Sequence, residues 1–331
     1  MNSPINRMKP LHLLTFLLTA VASVQAVTPD GKQKLVLIAG KPSHPPGMHE
    51  FRAGTMLLEK CLKSVPNLVV DRHEMGWVSD ENTFTDADAV VIYADGGGKH
   101  PAVVDGHLET LRKLMAKGVG FGCMHYGVEI VPTDASKEFQ EWLGGHYENA
   151  YSCNPIWDAS YTELPKHAIT HGVEPFTTKD EWYFHMRFRP AFGHGVKPAE
   201  DGGAKFAPIL VATPSDATRD GPYVYPKGPY PHIQTEKGSA ETMMWAIVRA
   251  DGGRGFGFTG GHFHDNWGNA NVRKAVLNAL LWVTKVEVPE KGVESIVTAE
   301  ELQLNLDPKS PPKPKNAGIE TPRAFERVAT R

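Results

Sequence analysis

The sequence predicts a doubly wound α/β domain on a mostly parallel sheet, with long loop insertions over the carboxyl ends of the strands. Short apolar runs alternate with amphipathic helical patterns along the chain. The runs are apolar at nearly every position, as strands sandwiched between two layers of helices must be. Two stretches rich in Pro, Gly, His and aromatics, 128–205 and 214–240, interrupt the alternation.

Strands are expected at 34–40 (KLVLIAG), 67–73 (NLVVDRH), 89–95 (AVVIYAD) and 118–125 (GVGFGCMH). Three more follow at 207–213 (APILVAT), 243–249 (MMWAIVR) and 253–260 (GRGFGFTG). Between the first two, Phe51, Gly54, Leu58, Cys61, Leu62 and Val65 recur with a period of about 3.6 and mark a helix. Val104, Leu108, Leu111 and Met115 mark a second, and Val272, Val276, Ala279 and Val283 a third over 269–284. The first strand is expected at the centre of the sheet.

The 331 residues suffice for one large domain. Residues 1–26 read as a signal peptide: Arg7 and Lys9, an apolar run from Leu11 to about Val24, then small Val24 and Ala26 before the cleavage point. That run falls short of the roughly 20 residues that span a bilayer, and no cysteine follows to carry a lipid. The mature chain is therefore expected to be periplasmic or extracellular, with no membrane anchor. The formal charge is −3, and removing Arg7 and Lys9 takes it to −5. With no basic patch, nucleic acid is excluded as a partner. Cys61, Cys123 and Cys153 have no regular spacing and read as free thiols or at most one bridge. The domain is taken as 27–306, and 307–331 (beginning DPKSPPKPKNAG) as a mobile Pro-rich tail.

Ligands of open parallel sheets bind outside the strand carboxyl ends, so the placement of the 15 histidines is informative. His44 and His49 follow the first strand, His125 the fourth, and His262 and His264 the last. His100, His107, His167, His171, His194 and His232 read as ordinary loop histidines. GFGCMHYG (120–127) reads as a strand–turn–helix elbow, whose crowding requires small residues two positions either side of the tip. With His125 at the tip those neighbours are Cys123 and Gly127. With Cys123 there they would be the bulky Phe121 and His125. The tip is therefore His125, expected to stand exposed in the crevice while Cys123 packs inside the sheet. The plainer alternative is a strand end with a buried histidine.

In FTGGHFHDNWGN (258–269), extended alternation puts His262 and His264 on one side. One further histidine or carboxylate would complete such a pair into a metal site. Asp265 could instead orient one of the imidazoles. The expected set is His262 or His264 with one or two of His44, His49 and His125 around a divalent cation such as zinc or manganese. Asp95 precedes three glycines whose N–H groups could cradle sugar oxygens. Glu181, Trp182 and Tyr183 of KDEWYFHMRF (179–188), with Tyr126 and Trp267, offer aromatic faces beside acids, which suit a sugar ring. The same aromatics could equally close the core beneath the insertion.

The elbow GFGCMHYG, HPPGMHEFRAG near the start, EWLGGHY (141–147), DEWY (180–183), ETMMWAIVRADGGRGFGFTGGH (241–262) and RKAVLNALLWVTKVEVPEKGV (273–293) carry a resemblance. Over roughly residues 34–293 the chain resembles the ThuA-like (trehalose-utilisation) family, a branch of the class I glutamine amidotransferase-like superfamily. The resemblance implies the flavodoxin-like, class I glutamine amidotransferase-like form of the doubly wound sheet. In that superfamily the elbow residue is a cysteine, partnered by a histidine after a late strand. By position, His125 takes the nucleophile's place and His262 the partner's.

Without a thiol at the elbow, glutamine hydrolysis through a thioester is not expected. Tyr126 is bulkier than the small residue expected after the elbow histidine, which alters the pocket. The resemblance implies carbohydrate catabolism, acting on a disaccharide or keto-sugar, with His125 as general acid/base and His262 as its partner. Isomerisation or elimination beside a carbonyl suits histidines better than glycoside hydrolysis, which uses two carboxylates. A non-catalytic sugar-binding or accessory protein on the same scaffold is the alternative. The expected partners are a small carbohydrate and, at most, a second copy of the chain in a homodimer.

Overall fold

The structure, a computed structural model, describes residues 31–310. The expected signal peptide and the tail beyond Ser310 lie outside the described residues. Every residue from Leu35 to Ala39 and from Ala89 to Tyr93 is fully buried, which demands helices on both faces of the sheet. In chain order come β1 (Gln33–Ala39), α1 (Phe51–Leu62), β2 (Leu68–His73), β3 (Ala89–Tyr93), α2 (His107–Met115) and β4 (Gly120–Met124). The first insertion carries α3 (Pro132–Trp142), β5 (Gly145–His146), β6 (Trp157–Tyr161), β7 (Phe176–Asp180) and β8 (Arg187–Phe188). β9 (Ala199–Asp201), β10 (Ala204–Ala212), α4 (Asp216–Asp220) and α5 (Pro231–Gln234) follow. β11 (Glu241–Val248), β12 (Arg254–Phe258), α6 (Ala270–Val283) and α7 (Ala299–Leu302) complete the chain.

The main sheet runs β2-β1-β3-β4-β12-β11-β10-β9. Its first five strands are parallel, in the flavodoxin-like order. β11, β10 and β9 extend it antiparallel. β1 is therefore second from one edge, not central as expected. The α1 crossover carries the chain outward to β2, and the antiparallel extension beyond β12 moves the middle of the sheet to β4 and β12.

Successive side chains of β1 serve opposite layers. Leu35, Leu37 and Ala39 pack with Leu57 and Leu58 of α1 and Val272, Val276 and Leu280 of α6. Val36 and Ile38 pack with Leu111 and Leu114 of α2 and Phe139 and Trp142 of α3. Each such Leu, Ile or Val contributes about 1.5–3 kcal/mol by leaving water. α3 buries only Ala135, Phe139 and Trp142, a stripe too thin to stand out from the insertion's composition. β5 pairs with β8, and β6 with β7, laying the insertion over the sheet's carboxyl end.

The start of the expected mobile tail is packed. The Asp307 N–H donates to Glu50 Oε2 at 2.9 Å, and Lys309 Nζ lies 3.1 Å from Glu50 Oε1. The Glu50 side chain is fully buried, and a buried carboxylate needs such partners. All three cysteines are buried and free. Among the described residues no helix is long and apolar enough to cross a membrane.

Candidate functional site

Four segments that follow strand carboxyl ends meet above the sheet. His49 follows β1, His125 follows β4, Glu181 follows β7 and His262 follows β12. Each offers one ligand atom, and these atoms lie within 4.8 Å of one another. All four side chains are buried.

Each arrives by a distinct local device. β4 ends at Met124, and His125 turns the chain with φ +52° into a 3₁₀ turn, His125–Val128. A left-handed non-glycine residue costs about 1–2 kcal/mol, so the surrounding packing must hold it. At Gly127 a Cβ would lie 3.3 Å from the Ile92 carbonyl, which accounts for the small residue there. Cys123 is fully buried in the layer that holds Val36 and Ile38. His125 is also fully buried, which corrects the expectation of an exposed tip. The insertion folds back over the elbow, and the Tyr183 ring lies 4.9 Å from the imidazole.

The segment carrying His262 is held by Asp180, a residue the sequence reading passed over. The buried Asp180 carboxylate accepts from the N–H groups of Gly261 (2.7 Å), His262 (3.1 Å) and Phe263 (3.3 Å). A Cβ at Gly260 would stand 2.4 Å from the Trp182 ring, so only glycine lets the chain pass. His49, at φ +49°, donates its backbone N–H to the His262 carbonyl at 3.0 Å. A bridge between Met48 and Phe263 joins the same two loops.

Hydrogen-bond partners assign the protons. His49 Nδ1 donates to Asp95 Oδ1 at 2.7 Å, and His125 Nδ1 donates to the Thr259 carbonyl at 2.9 Å. Both Nε2 atoms are then bare lone pairs, yet they face each other at 2.9 Å. His262 Nδ1 lies 3.0 Å from His49 Nε2, 3.2 Å from His125 Nε2 and 2.7 Å from Glu181 Oε2. Burial, reinforced by the neighbouring imidazoles, pushes His49 and His125 far below the usual histidine range. Burial raises Glu181, opposed by its bond to His262. The facing lone pairs of His49 and His125, with His262 Nδ1 and the Glu181 carboxylate beside them, are a donor set for a divalent cation. Zinc at about 2.0–2.1 Å from each ligand would leave them roughly 3.3 Å apart, close to the spacings found.

Around this core, the Tyr183 hydroxyl donates to His125 Nε2 at 3.3 Å. His44 stacks on His49 with ring centroids 3.5 Å apart. Tyr126 is half-buried, its ring centroid 6.1 Å from that of His49. His264 stands apart from the set, because it opens a 3₁₀ turn, His264–Gly268, and the alternation expected of an extended segment stops there. Trp182 and Trp267 are core residues rather than a sugar platform. Trp182 is fully buried and donates to the Thr178 carbonyl, and Trp267 packs edge-on to Tyr93.

Two further residues at the rim escaped the sequence reading. Burial, reinforced by Glu181, pushes the Glu129 carboxyl up to about 7. Asn154 joins the insertions, donating through Nδ2 to Glu181 Oε1 (3.0 Å) and accepting at Oδ1 from the Tyr225 N–H (3.1 Å). The acid doublet Asp180–Glu181 at a strand end, and an acid four residues past the elbow, were the available signals.

The family model for ThuA, described as trehalose utilisation, matches residues 36–283. No curated protein matches the chain. A ThuA-like protein from Bacteroides uniformis is similar in structure at 12% identity and TM-score 0.51, over 76% of this chain and 91% of that one. A second, from Parabacteroides merdae, aligns at 13% identity and TM-score 0.50, over 81% of this chain and 94% of that one. At such identities the likeness speaks for the fold. The family match spans most of the chain, so this protein belongs to the ThuA family, which ties it to carbohydrate utilisation.

Proposed function

We propose that this is an exported enzyme of carbohydrate catabolism, acting on a disaccharide or keto-sugar at a centre made by His49, His125, His262 and Glu181. The observation that carries the reading is the pair of Nε2 lone pairs of His49 and His125 facing each other at 2.9 Å beside the Glu181 carboxylate, an arrangement that a cation would stabilise. A divalent metal there would supply Lewis acidity toward a sugar carbonyl or hydroxyl oxygen.

Asp95 orients His49, and Asp180 fixes the segment that carries His262. Tyr183 closes the centre from above and keeps water away. Glu129, near neutral in its pKa, stands at the rim as a carrier for the proton moved in isomerisation or elimination beside a carbonyl.

A second reading keeps His125 and His262 as an acid–base pair without metal. The contact of 2.7 Å between His262 Nδ1 and Glu181 Oε2 favours it, because that carboxylate would steady an imidazolium. Metal analysis of the purified mature protein, with turnover of disaccharides and keto-sugars before and after chelation, separates the two. Stoichiometric metal and loss of turnover on chelation support the first. Turnover that is indifferent to chelation supports the second, and no turnover of any sugar removes both.

A further inference from the structure

A cavity of about 350 Å³ opens at the carboxyl ends of β1, β2 and β3. In this strand order the chain leaves β1 toward β2 on one side and returns to β3 on the other, and such a switch point is where doubly wound sheets take their ligands. A larger cleft, about 1110 Å³, lies by Gln33 and Asn67 at the opposite, amino-terminal ends, the wrong end of a parallel sheet for this purpose.

Both charge signs line the smaller cavity: Lys41 and Lys99 against Asp95 and Asp105, with Trp77 and Val104 on its apolar side. The Trp77 indole is fixed in place, stacked on His107 with ring centroids 4.0 Å apart and bonded through Nε1 to Glu81. An anion here would meet two carboxylates, and a cation two ammonium groups. A neutral polyhydroxy ring offers hydroxyls that donate to the carboxylates and accept from the lysines, while its C–H face covers the apolar wall.

We infer that this crevice binds one neutral hexose ring, with Trp77 as its apolar wall and Asp95 as its shared carboxylate. Asp95 Oδ1 already accepts from His49 Nδ1, so a hydroxyl bonded to the other oxygen sets the ring one carboxylate away from the histidine centre. The inference takes its ligand class from the proposed carbohydrate role but does not depend on the cation.

Titration calorimetry of the mature protein with methyl α-glucopyranoside, against gluconate and glucosamine as charged controls, tests it. The neutral glycoside should bind more tightly than either control. Trp77→Ala should weaken it about tenfold, the scale of one lost aromatic contact, and Val104→Trp, which fills the cavity, should abolish it. Both variants must match the parent in melting temperature. Chelator-treated parent protein should keep the sugar affinity, so failure of the catalytic reading is seen separately. Absence of glycoside binding, equal affinity in Val104→Trp, or a preference for gluconate overturns the inference.

Discussion

His49 Nε2 and His125 Nε2 face each other at 2.9 Å with no hydrogen between them, because each imidazole spends its proton on the far side, on Asp95 and on the Thr259 carbonyl. Removing the oriented acceptor should therefore be felt at the centre. Asp95→Asn is expected to weaken zinc or manganese binding about 10–100-fold, as loss of a partner that orients a ligand does. His49→Ala should remove binding altogether. Calorimetric titration of metal into chelator-treated protein measures both, and unchanged affinity in Asp95→Asn would contradict the proton assignment.

The left-handed backbone of His125 separates its packing from its strain. His125→Ala loses the imidazole and keeps a Cβ at φ +52°. His125→Gly loses both the ring and the strain. The glycine variant should be more stable than the alanine variant by about 1 kcal/mol, though both lack turnover. Urea unfolding of the two variants gives the comparison.

Cys123 lies two residues before the elbow tip yet belongs to the core. Burial pushes its thiol well above the usual range, so alkylating reagents should leave the native protein unmodified and active. Cys123→Ser should cost about 1–3 kcal/mol by burying a hydroxyl among apolar neighbours, with turnover retained in the folded fraction. Loss of activity on alkylation without unfolding would return the mechanism to a thiol.

Acid should destabilise the fold partly through His100. Its ring is fully buried, with Nε2 donating to the Gly127 carbonyl at 2.7 Å and Nδ1 accepting from the Ala102 N–H at 2.9 Å. Burial lowers its pKa to about 4, against about 6.5 in the unfolded chain. Above about pH 6.5 both states are neutral, and the residue adds no pH dependence. Between the two values the unfolded chain takes a proton that the folded protein refuses, so stability falls as pH drops, by about 1.4 kcal/mol per pH unit. His100→Gln should reduce the measured slope by that amount. Unfolding free energies at pH 7 and 5 for both proteins would show it.

Lys309 holds the loop that delivers His49. Its ammonium pairs with Glu50 and donates to the His49 carbonyl at 3.1 Å, with only 5% of its side chain exposed. Lys309→Met leaves the Glu50 charge buried without its cation and should cost about 3–5 kcal/mol. Truncation after Leu306 removes the Asp307 N–H as well and should cost more. A truncated protein with the parent's melting temperature would show that the segment is dispensable.

Burial periodicity is a local property, and it was legible. Leu35–Ala39 and Ala89–Tyr93 announced strands covered on both faces, and the size of the residues flanking His125 put it, not Cys123, at the turn. What lay beyond local reach was which loops meet. His49 and His262 touch across 213 residues of sequence, and no pattern in either segment encodes that distance. The β2-β1-β3-β4-β12 order brought their loops together. Folding of the insertion then decided the rest: it set Glu181 and Tyr183 over the elbow, buried His125, and took Trp182 into the core. His264 dropped out because a 3₁₀ turn begins at it, and Lys309 joined because buried Glu50 required a cation. Hydrophobic pattern determines which residues are inside, whereas the identity of their neighbours follows from strand order and from the pairing of buried charges, both set only when the whole chain has closed.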